Sequence, residues 1–363
     1  MRFSKYALQA FVLCALLSLS ACGDGRRDAP VARTRPNWTA GSDAEITTDG
    51  VQQLLTNARA GDVLKVRLRD LHPTQGALGY DEVYYRLDRF ERDPRLRFDS
   101  YCEDDGRGGI LPMPLAPTAK LSEPQSFRCR LAGTLERDKL RPVVVGPGGN
   151  LYLTDGHHTM SAYAELPDGG LDLQIHVLVT ANYSSLATGD FWRRMQRDGH
   201  AWLRNADNLP IDATALPAHV GLRGGFGNDR YRSIVFFARH IAYEDPRPPV
   251  DFIEFYWGDY LRATGFDPRR YALNRLGSLS QQSPLAADGY LNAVWTAAEL
   301  IVAARAPIAG SWAPAALGQQ ATINRGKAPN HGKFSDLARR IGSKHPGAVA
   351  LMIDYKQRHR IDD

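Results

Sequence analysis

The sequence predicts an α+β protein, in which a domain of mixed strands and helices is followed by a largely helical region. Two observations support this: a β-hairpin pattern that leads directly into a helical pattern over residues 142–166, and a second half in which helical patterns follow one another. The chain has 363 residues, 43% hydrophobic and 23% charged, which is a globular composition. We expect the mixed domain over residues 47–185, a helical region packed on it over 186–310, and a basic C-terminal segment over 311–363.

The first part of the mixed domain predicts four elements in order. A short helix is expected over Val51–Ala58, and a strand over Val63–Leu71, where apolar and basic residues alternate. A loop is expected at His72–Gln75, because Pro73 disfavours a helical conformation at the residue before it. The helical spacing of apolar residues then predicts a helix over Tyr80–Phe90.

The hairpin is the strongest local signal in the chain. Two apolar triplets, Val143–Val145 and Leu151–Leu153, flank a Gly- and Pro-containing turn. The second strand leads through Thr154 and Asp155 into a pattern that is helical as far as Leu166, so His157 and His158 are expected at or just before a helix N-terminus. A further strand is expected over Ile175–Val179.

The second half predicts a layer of helices separated by Pro and Gly residues. Aromatic side chains crowd this half, and their expected role is to pack that layer on the first domain. The predicted helices are Asp190–Asp198, Arg230–Tyr243, Val250–Ala263 and Asp288–Arg305.

The N-terminus predicts export and lipid attachment. Two basic residues precede an apolar run that ends in Leu19-Ser20-Ala21-Cys22, the order of a secretory signal peptide over residues 1–21. This ending resembles the lipobox of bacterial lipoproteins, in which the cysteine is lipidated. A transmembrane anchor is the alternative, but the apolar run is shorter than the roughly 20 residues that a helix needs to cross the hydrocarbon core. We expect lipidated Cys22, a flexible tether over 22–46, and a globular body that is membrane-anchored in the cell envelope and faces the periplasm.

Cysteine usage fits an oxidising compartment. Cys14 leaves with the signal peptide and Cys22 is consumed by lipid, so Cys102 and Cys129 remain and are expected to form a disulfide. That bond would close a loop of 27 residues and stabilise the fold by about 3.5 kcal/mol by the chain-entropy estimate.

The charge of the chain does not single out a nucleic-acid binder. The formal net charge is +5, and it falls to +3 when Arg2 and Lys5 leave with the signal peptide. From Arg325 onward, nine Lys or Arg residues stand against four acidic ones, a surplus of five positive charges. This segment could contact anionic lipid, lipopolysaccharide or nucleic acid, or it could be a solvated amphipathic helix at Phe334–Ile341.

The turn after the hairpin carries the candidate chemistry. A helix N-terminus offers backbone N–H groups and the positive end of the helix dipole, and Gly156 allows the close approach that a phosphate or carboxylate needs. His157 and His158 can donate, accept or transfer a proton, Thr159 adds a hydroxyl, and Asp155 could join an imidazole on a metal ion. The alternative is that Asp155 only caps the helix. No His-x-x-x-His spacing is present, so the sequence does not identify a metal site. A divalent metal as cofactor remains an open alternative.

The segment Asp155-Gly156-His157-His158-Thr159 resembles the signature of a ParB-like nuclease family. Leu71-His72-Pro73-Thr74-Gln75, followed by Gly79 and Glu82, resembles the Pro-Thr-Gln segment of the same family. Asp229-Arg230-Tyr231-Arg232-Ser233 and Glu254-Phe255-Tyr256-Trp257 resemble its helical C-terminal part. The resemblance covers roughly Val63 to Arg262 and implies a ParB/sulfiredoxin-like domain.

The same turn is more distantly similar to the phosphate-holding Gly-Cys-His-Arg loop of sulfiredoxin. Gly156 and His158 match that loop, but His157 stands in place of the reactive cysteine and Thr159 in place of the arginine. Sulfiredoxin chemistry is therefore excluded for want of a thiol. The nucleotide- and DNA-binding modules of chromosome-partitioning ParB proteins are not found in the sequence.

The family resemblance implies phosphodiester hydrolysis on an outward-facing, phosphate-binding scaffold. Gly156, His157, His158, Thr159 and Gln75 would bind the phosphate. Catalysis would fall to His157, His158 and Asp155, with Glu82 orienting an imidazole or a metal, or else standing as a solvated helix carboxylate. A nucleic acid or another phosphate-bearing ligand is the expected partner, and no protein partner is identifiable. Two alternatives remain, namely a non-catalytic module that binds an anionic ligand and a structural lipoprotein with an inactive fold.

Overall fold

The computed structural model describes residues 55–277, 289–309, 311–325 and 334–362, which form an α+β fold. The predicted fold class is therefore confirmed. The predicted signal peptide, Cys22 and the tether lie outside the described residues, as does the first half of the helix predicted at Val51–Ala58, of which Leu55 and Thr56 are helical.

The main sheet has five strands in the order β1-β6-β4-β5-β2. It pairs antiparallel and parallel neighbours alternately, because β1 and β6 are antiparallel, β6 and β4 parallel, β4 and β5 antiparallel, and β5 and β2 parallel. A second sheet pairs β3 with β7 in parallel. The strands are β1 Val63–Arg67, β2 Leu71–Pro73, β3 Ala77–Leu78, β4 Arg141–Val145, β5 Leu151–Leu153, β6 Gln174–Asn182 and β7 Gly227–Asn228.

The predicted hairpin is present as β4 and β5, but the strand predicted at Val63–Leu71 is not one strand. It breaks at a 3-10 turn over Leu68–Asp70, and β1 and β2 lie at opposite edges of the main sheet. The backbone N–H of Arg67 donates to the Asp70 carboxylate, and the N–H of Leu68 donates to the carbonyl of Leu173. The bond to Asp70 is local and closes the turn that ends β1, which an alternating pattern cannot reveal.

The loop predicted at His72–Gln75 is likewise partly a strand. His72 and Pro73 belong to β2, which pairs only with β5. Proline lacks a backbone N–H, and an edge strand tolerates it because one side of the strand makes no ladder bonds.

Eight α-helices lie in the described residues, and the helices predicted near residues 80, 157, 190, 230, 253 and 290 are all present. They are α1 Tyr80–Arg92, α2 Pro94–Asp104, α3 His157–Glu165, α4 Thr188–Arg197, α5 Arg230–Ala238, α6 Ile253–Ala263, α7 Tyr290–Ala303 and α8 Ala348–His359. The helix α1 lies at the centre of the helical packing, where it contacts α2, α3, α5 and α8.

Several helix predictions need correction. The helix α5 ends at Ala238 rather than Tyr243, because Arg239 is extended and His240 has a positive φ of 62°. The helix α6 begins at Ile253 after Phe252, whose φ is 58°. The amphipathic helix predicted at Phe334–Ile341 is a 3-10 helix over Phe334–Ala338.

Two helices, α2 and α8, had no predicted counterpart. Their sequences carry many charged residues, and α2 in particular has almost no segregation of apolar residues to one face, so the periodic signal is weak. The structure joins Cys102, in α2, to Cys129 by a disulfide with a Cα–Cα distance of 5.5 Å. Among the described helices, none is both long and apolar enough to cross a membrane.

Candidate functional site

The turn between β5 and α3 is built on Gly156. Its φ of 87° lies in the left-handed region, and a Cβ at this position would come within 2.6 Å of the Arg141 Cδ atom. Gly156 is itself the N-cap of α3, and no side chain caps the helix, so Asp155 does not act as the cap. The Asp155 side chain is 68% exposed instead, with its carboxylate 4.0 Å from the Arg141 guanidinium.

The two histidines of the turn point into the protein and hold the preceding segment of chain. The His157 Nε2 atom accepts the backbone N–H of Thr74 at 3.2 Å, and the His158 Nε2 atom accepts the N–H of Gly79 at 3.0 Å. Both residues are buried. The pair therefore fixes the Pro-Thr-Gln segment against the N-terminus of α3.

Both imidazoles are neutral near pH 7. Burial lowers the pKa of His157 to about 4, although Asp155 and a bond to the carbonyl of Leu153 oppose the shift. Burial also holds the pKa of His158 well below its usual value, against the opposing charge of Glu82. Because each Nε2 lone pair is engaged by a backbone donor, neither is free to accept a proton from water in this arrangement.

Glu82 is a buried member of an ion-pair network and not a solvated carboxylate. Its Oε1 atom lies 2.7 Å from Arg86 Nη2, and its Oε2 atom lies 3.0 Å from Arg232 Nη1 and 3.8 Å from the His158 Nε2 atom. Burial alone would raise the pKa of Glu82, but His158 when protonated, Arg232 and Arg86 outweigh it and hold that pKa well below its ordinary range. Glu82 thus orients an arginine more directly than an imidazole.

Arg232 occupies the middle of this network. Its Nη2 atom lies 3.4 Å from Glu254 Oε2, and Glu254 is also paired with Arg239. Arg232 is only 5% exposed, and its Nε atom has no hydrogen-bond partner among the described residues. A buried guanidinium N–H without an acceptor is costly, so this N–H is available to an acceptor from a water molecule or a ligand.

A small polar cleft, which we call the α3 cleft, lies at this point and has a volume of about 40 Å³. It has room for a few water molecules or a small oxyanion. Its walls come from the segment after β2, from the turn before α3 and the first residues of α3, from α5, and from the residues around the start of α6: Gln75, Thr154, Asp155, His157, His158, Arg232, Asp251, Phe252, Glu254 and Phe255.

The α3 cleft brings together most, but not all, of the residues predicted from the sequence. Gln75, Asp155, His157 and His158 line it, and the Gln75 amide nitrogen donates to the carbonyl of Ala77 at 2.6 Å. Gly156 and Thr159 are not among its wall residues, and Glu82 lies behind Arg232.

Sequence reasoning did not assign Arg232, Asp251 or Glu254 to the site. Arg232 and Glu254 stand within segments that the family resemblance marked, but no local pattern indicates that they reach a turn more than 70 positions earlier in the chain. Their convergence is a consequence of α5 and α6 packing against each other.

The cleft can offer hydrogen bonds to an anion, and three carboxylates also line it, those of Asp155, Asp251 and Glu254, of which Glu254 is paired with arginines. By α-helix geometry the first N–H groups of α3 have no acceptor within the helix, since the first internal bond recorded runs from Met160 to Gly156. Within the described residues, no group of three or more His, Cys, Asp or Glu side chains is arranged to hold a metal ion.

The family model described as "Putative ParB-like nuclease" matches residues 64–263, which is more than half of the chain. Among solved structures, the chain is similar to the crystal structure of protein Atu1540 from Agrobacterium tumefaciens, with 18% sequence identity and a TM-score of 0.42, over 66% of this chain and 92% of that chain. A comparison with curated proteins gives no match. On the extent of the family match, the chain belongs to the putative ParB-like nuclease family.

Proposed function

We propose that the α3 cleft binds the phosphate of a phosphate-bearing ligand and that the protein hydrolyses phosphodiester bonds there. The single observation that supports this is Arg232, a buried arginine that lines a polar cleft at a helix N-terminus and whose Nε atom has no hydrogen-bond partner among the described residues. Membership of a nuclease-like family supports the reaction class.

In this proposal the phosphate oxygens accept from Arg232 and from the first N–H groups of α3. A guanidinium and a helix N-terminus are both donors to anions, and the bonds are stronger for being charge-assisted. Glu82 and Glu254 pair with the guanidinium of Arg232, and the two imidazoles hold the segment 74–79, in which Gln75 lines the cleft.

We assign the proton-transfer roles to groups whose lone pairs are not already engaged in hydrogen bonds within the protein. His157 and His158 were predicted as acid and base, and for that role an Nε2 lone pair would have to leave its backbone donor. Asp155 already stands exposed at the mouth of the cleft, so it is the carboxylate best placed to accept a proton from an attacking water.

Binding and turnover of the full-length protein in detergent test the proposal. Inorganic phosphate should bind, with an affinity that falls as salt rises. Arg232→Gln should weaken this binding by about tenfold or more, whereas Arg86→Gln, which removes a guanidinium from the same Glu82 without lining the cleft, should change it by less than about twofold. Arg232→Lys keeps the positive charge, and it replaces Arg232→Gln in this measurement if the glutamine variant does not fold.

Bis(p-nitrophenyl) phosphate, with and without Mg²⁺, tests turnover. If the parent hydrolyses this ester and Asp155→Asn lowers the rate by about a hundredfold, the result supports catalysis in the cleft. Phosphate binding without hydrolysis supports the second candidate, a non-catalytic binding module, which the engaged imidazoles favour. Equal phosphate affinity in the parent and in Arg232→Gln would refute the site.

We also propose that the protein is an exported lipoprotein, anchored through Cys22. The support is the order of charged, apolar and small residues before Cys22, together with the polar sequence after it. A disulfide between Cys102 and Cys129 is consistent with an oxidising compartment.

A further inference from the structure

A second and larger cavity adjoins the α3 cleft. This cavity, which we call the acidic groove, has a volume of about 630 Å³, within the range of small-molecule sites. The loop over residues 245–250 forms one wall, and the side chains of Tyr256 and Trp312 form another. Asp251 lines both the groove and the α3 cleft, so the two lie next to each other at that residue.

Carboxylates outnumber cations among the residues that line the groove. Four carboxylates line it, from Asp198, Glu244, Asp245 and Asp251, against the single guanidinium of Arg247. Three of them have partners elsewhere: Asp198 pairs with Arg194, Glu244 with His240, and Asp245 with Arg239.

Asp251 differs from the other three. Among the described residues it has no ion pair, and one of the charges that act on it is another carboxylate, that of Asp155. Partial burial and the charge of Asp155 raise the pKa of Asp251, with His200 opposing them. A cation placed beside Asp251 would relieve this repulsion.

Aromatic faces next to carboxylates are a common way to bind an organic cation. Tyr256 and Trp312 contact each other in the groove, with their ring centroids 5.8 Å apart. A substituted ammonium group near their faces gains a cation–π attraction as well as the charge of the carboxylates. The groove therefore suits an amine, while the adjoining cleft, with its unpartnered Arg232 Nε atom, suits an anion.

We propose that the ligand is a phosphate ester of an amino alcohol, with its phosphate in the α3 cleft and its amine in the acidic groove beside Asp251. This inference rests on the proposed function and narrows its substrate to a small zwitterionic ester. A nucleic-acid strand is disfavoured, because its successive phosphates would pass Asp155, Asp251 and the groove carboxylates with few cations to offset them.

Calorimetric titration of the full-length protein compares three probes at one ionic strength: glycerophosphoethanolamine, glycerol 3-phosphate and a single-stranded oligonucleotide. The first should bind about tenfold or more tighter than the other two. Titration with detergent micelles that carry phosphatidylethanolamine or phosphatidylglycerol then separates a lipid source from a free ester. A preference for the amine headgroup in either format supports the proposal.

Charge-removing variants locate the two ends of the ligand. Asp251→Asn should weaken glycerophosphoethanolamine binding by about fivefold to tenfold and strengthen glycerol 3-phosphate binding, because it removes a negative charge that favours one and repels the other. Asp190→Asn is the matched control, since Asp190 is exposed on α4 and lines neither cavity. It should leave both affinities unchanged.

Failure of this inference differs from failure of the proposed function. If none of the phosphate probes binds, the phosphate site itself is refuted. If the oligonucleotide or glycerol 3-phosphate binds as tightly as the amine ester, or if Asp251→Asn leaves the preference intact, the phosphate site stands and the amino-alcohol ester is refuted.

Discussion

The Nε2 atom of His158 accepts the backbone N–H of Gly79 across 79 positions of sequence, at a distance of 3.0 Å. The neighbouring His157 makes the equivalent bond to the N–H of Thr74. Two consecutive imidazoles at the start of α3 therefore fasten both ends of the segment that connects β2 to α1. Gln75, which lies in this segment, lines the α3 cleft, so the two bonds hold the part of the chain that carries this wall residue.

We expect His158→Ala to destabilise the protein by about 1–3 kcal/mol, because the variant leaves the buried N–H of Gly79 without an acceptor. Denaturant unfolding measures the effect. His345→Ala, at an exposed position, should change the free energy of unfolding by less than about 0.5 kcal/mol. Equal stability of the two variants would show that the bond to Gly79 has no structural role.

Stability should fall as the pH falls from about 6.5 to about 4. The folded-state pKa of His157 is lowered to about 4 from an ordinary value of 6.5, so in this window the unfolded chain binds a proton that the folded chain does not. The stabilisation that comes from keeping His157 neutral in the folded protein is fully present above pH 6.5. It decreases by about 1.4 kcal/mol per pH unit as the pH falls through the window. Unfolding across this range, in the parent and in His157→Gln, checks it. A slope that His157→Gln does not reduce would contradict the assignment.

Gly156→Ala should cost more stability than a positive φ alone explains. Gly156 and Gly170 have nearly the same φ, 87° and 86°, but a Cβ at Gly156 meets Arg141 at 2.6 Å, whereas a Cβ at Gly170 meets nothing within 4 Å. Gly170→Ala therefore measures the backbone term, about 1–2 kcal/mol, and the excess in Gly156→Ala measures the contact. If the two variants lose equal stability in thermal unfolding, the close approach to Arg141 is not a constraint.

Cys102 and Cys129 should resist alkylation in periplasmic material until it is reduced. Cys102→Ser with Cys129→Ser should lower stability by about 3.5 kcal/mol, because the bond closes a 27-residue loop in the unfolded chain. Mass spectrometry after alkylation checks the pairing. Free thiols in freshly isolated, non-reduced protein would refute it.

Cys22→Ala should leave the protein uncleaved or released from the membrane, since lipid on Cys22 is its proposed attachment. Detergent partitioning and globomycin-sensitive processing measure this. Cys14→Ala, within the same signal peptide, is the control and should leave anchoring intact. Unchanged partitioning of Cys22→Ala would exclude the lipid anchor.

The sequence by itself determined those helices and strands that neighbouring residues specify, through apolar periodicity and turn residues. The β4–β5 hairpin follows from two apolar triplets around a Gly-rich turn, and α3 follows directly from it. The sequence also placed His157 and His158 at the helix start, and its family landmarks included the segments that contain Arg232 and Glu254.

The tertiary structure decided what these residues do. Alternation along residues 63–71 cannot show that the chain turns at Leu68 to place β1 and β2 at opposite edges of the sheet. Nor can it show that Glu82 faces Arg232, because that contact requires α1 and α5 to pack together. Periodicity reports which residues are buried, whereas the partner of a buried charge depends on which distant element lies against it. For that reason the sequence located the turn, and only the packing of α5 and α6 on it brought an arginine and two carboxylates to the cleft.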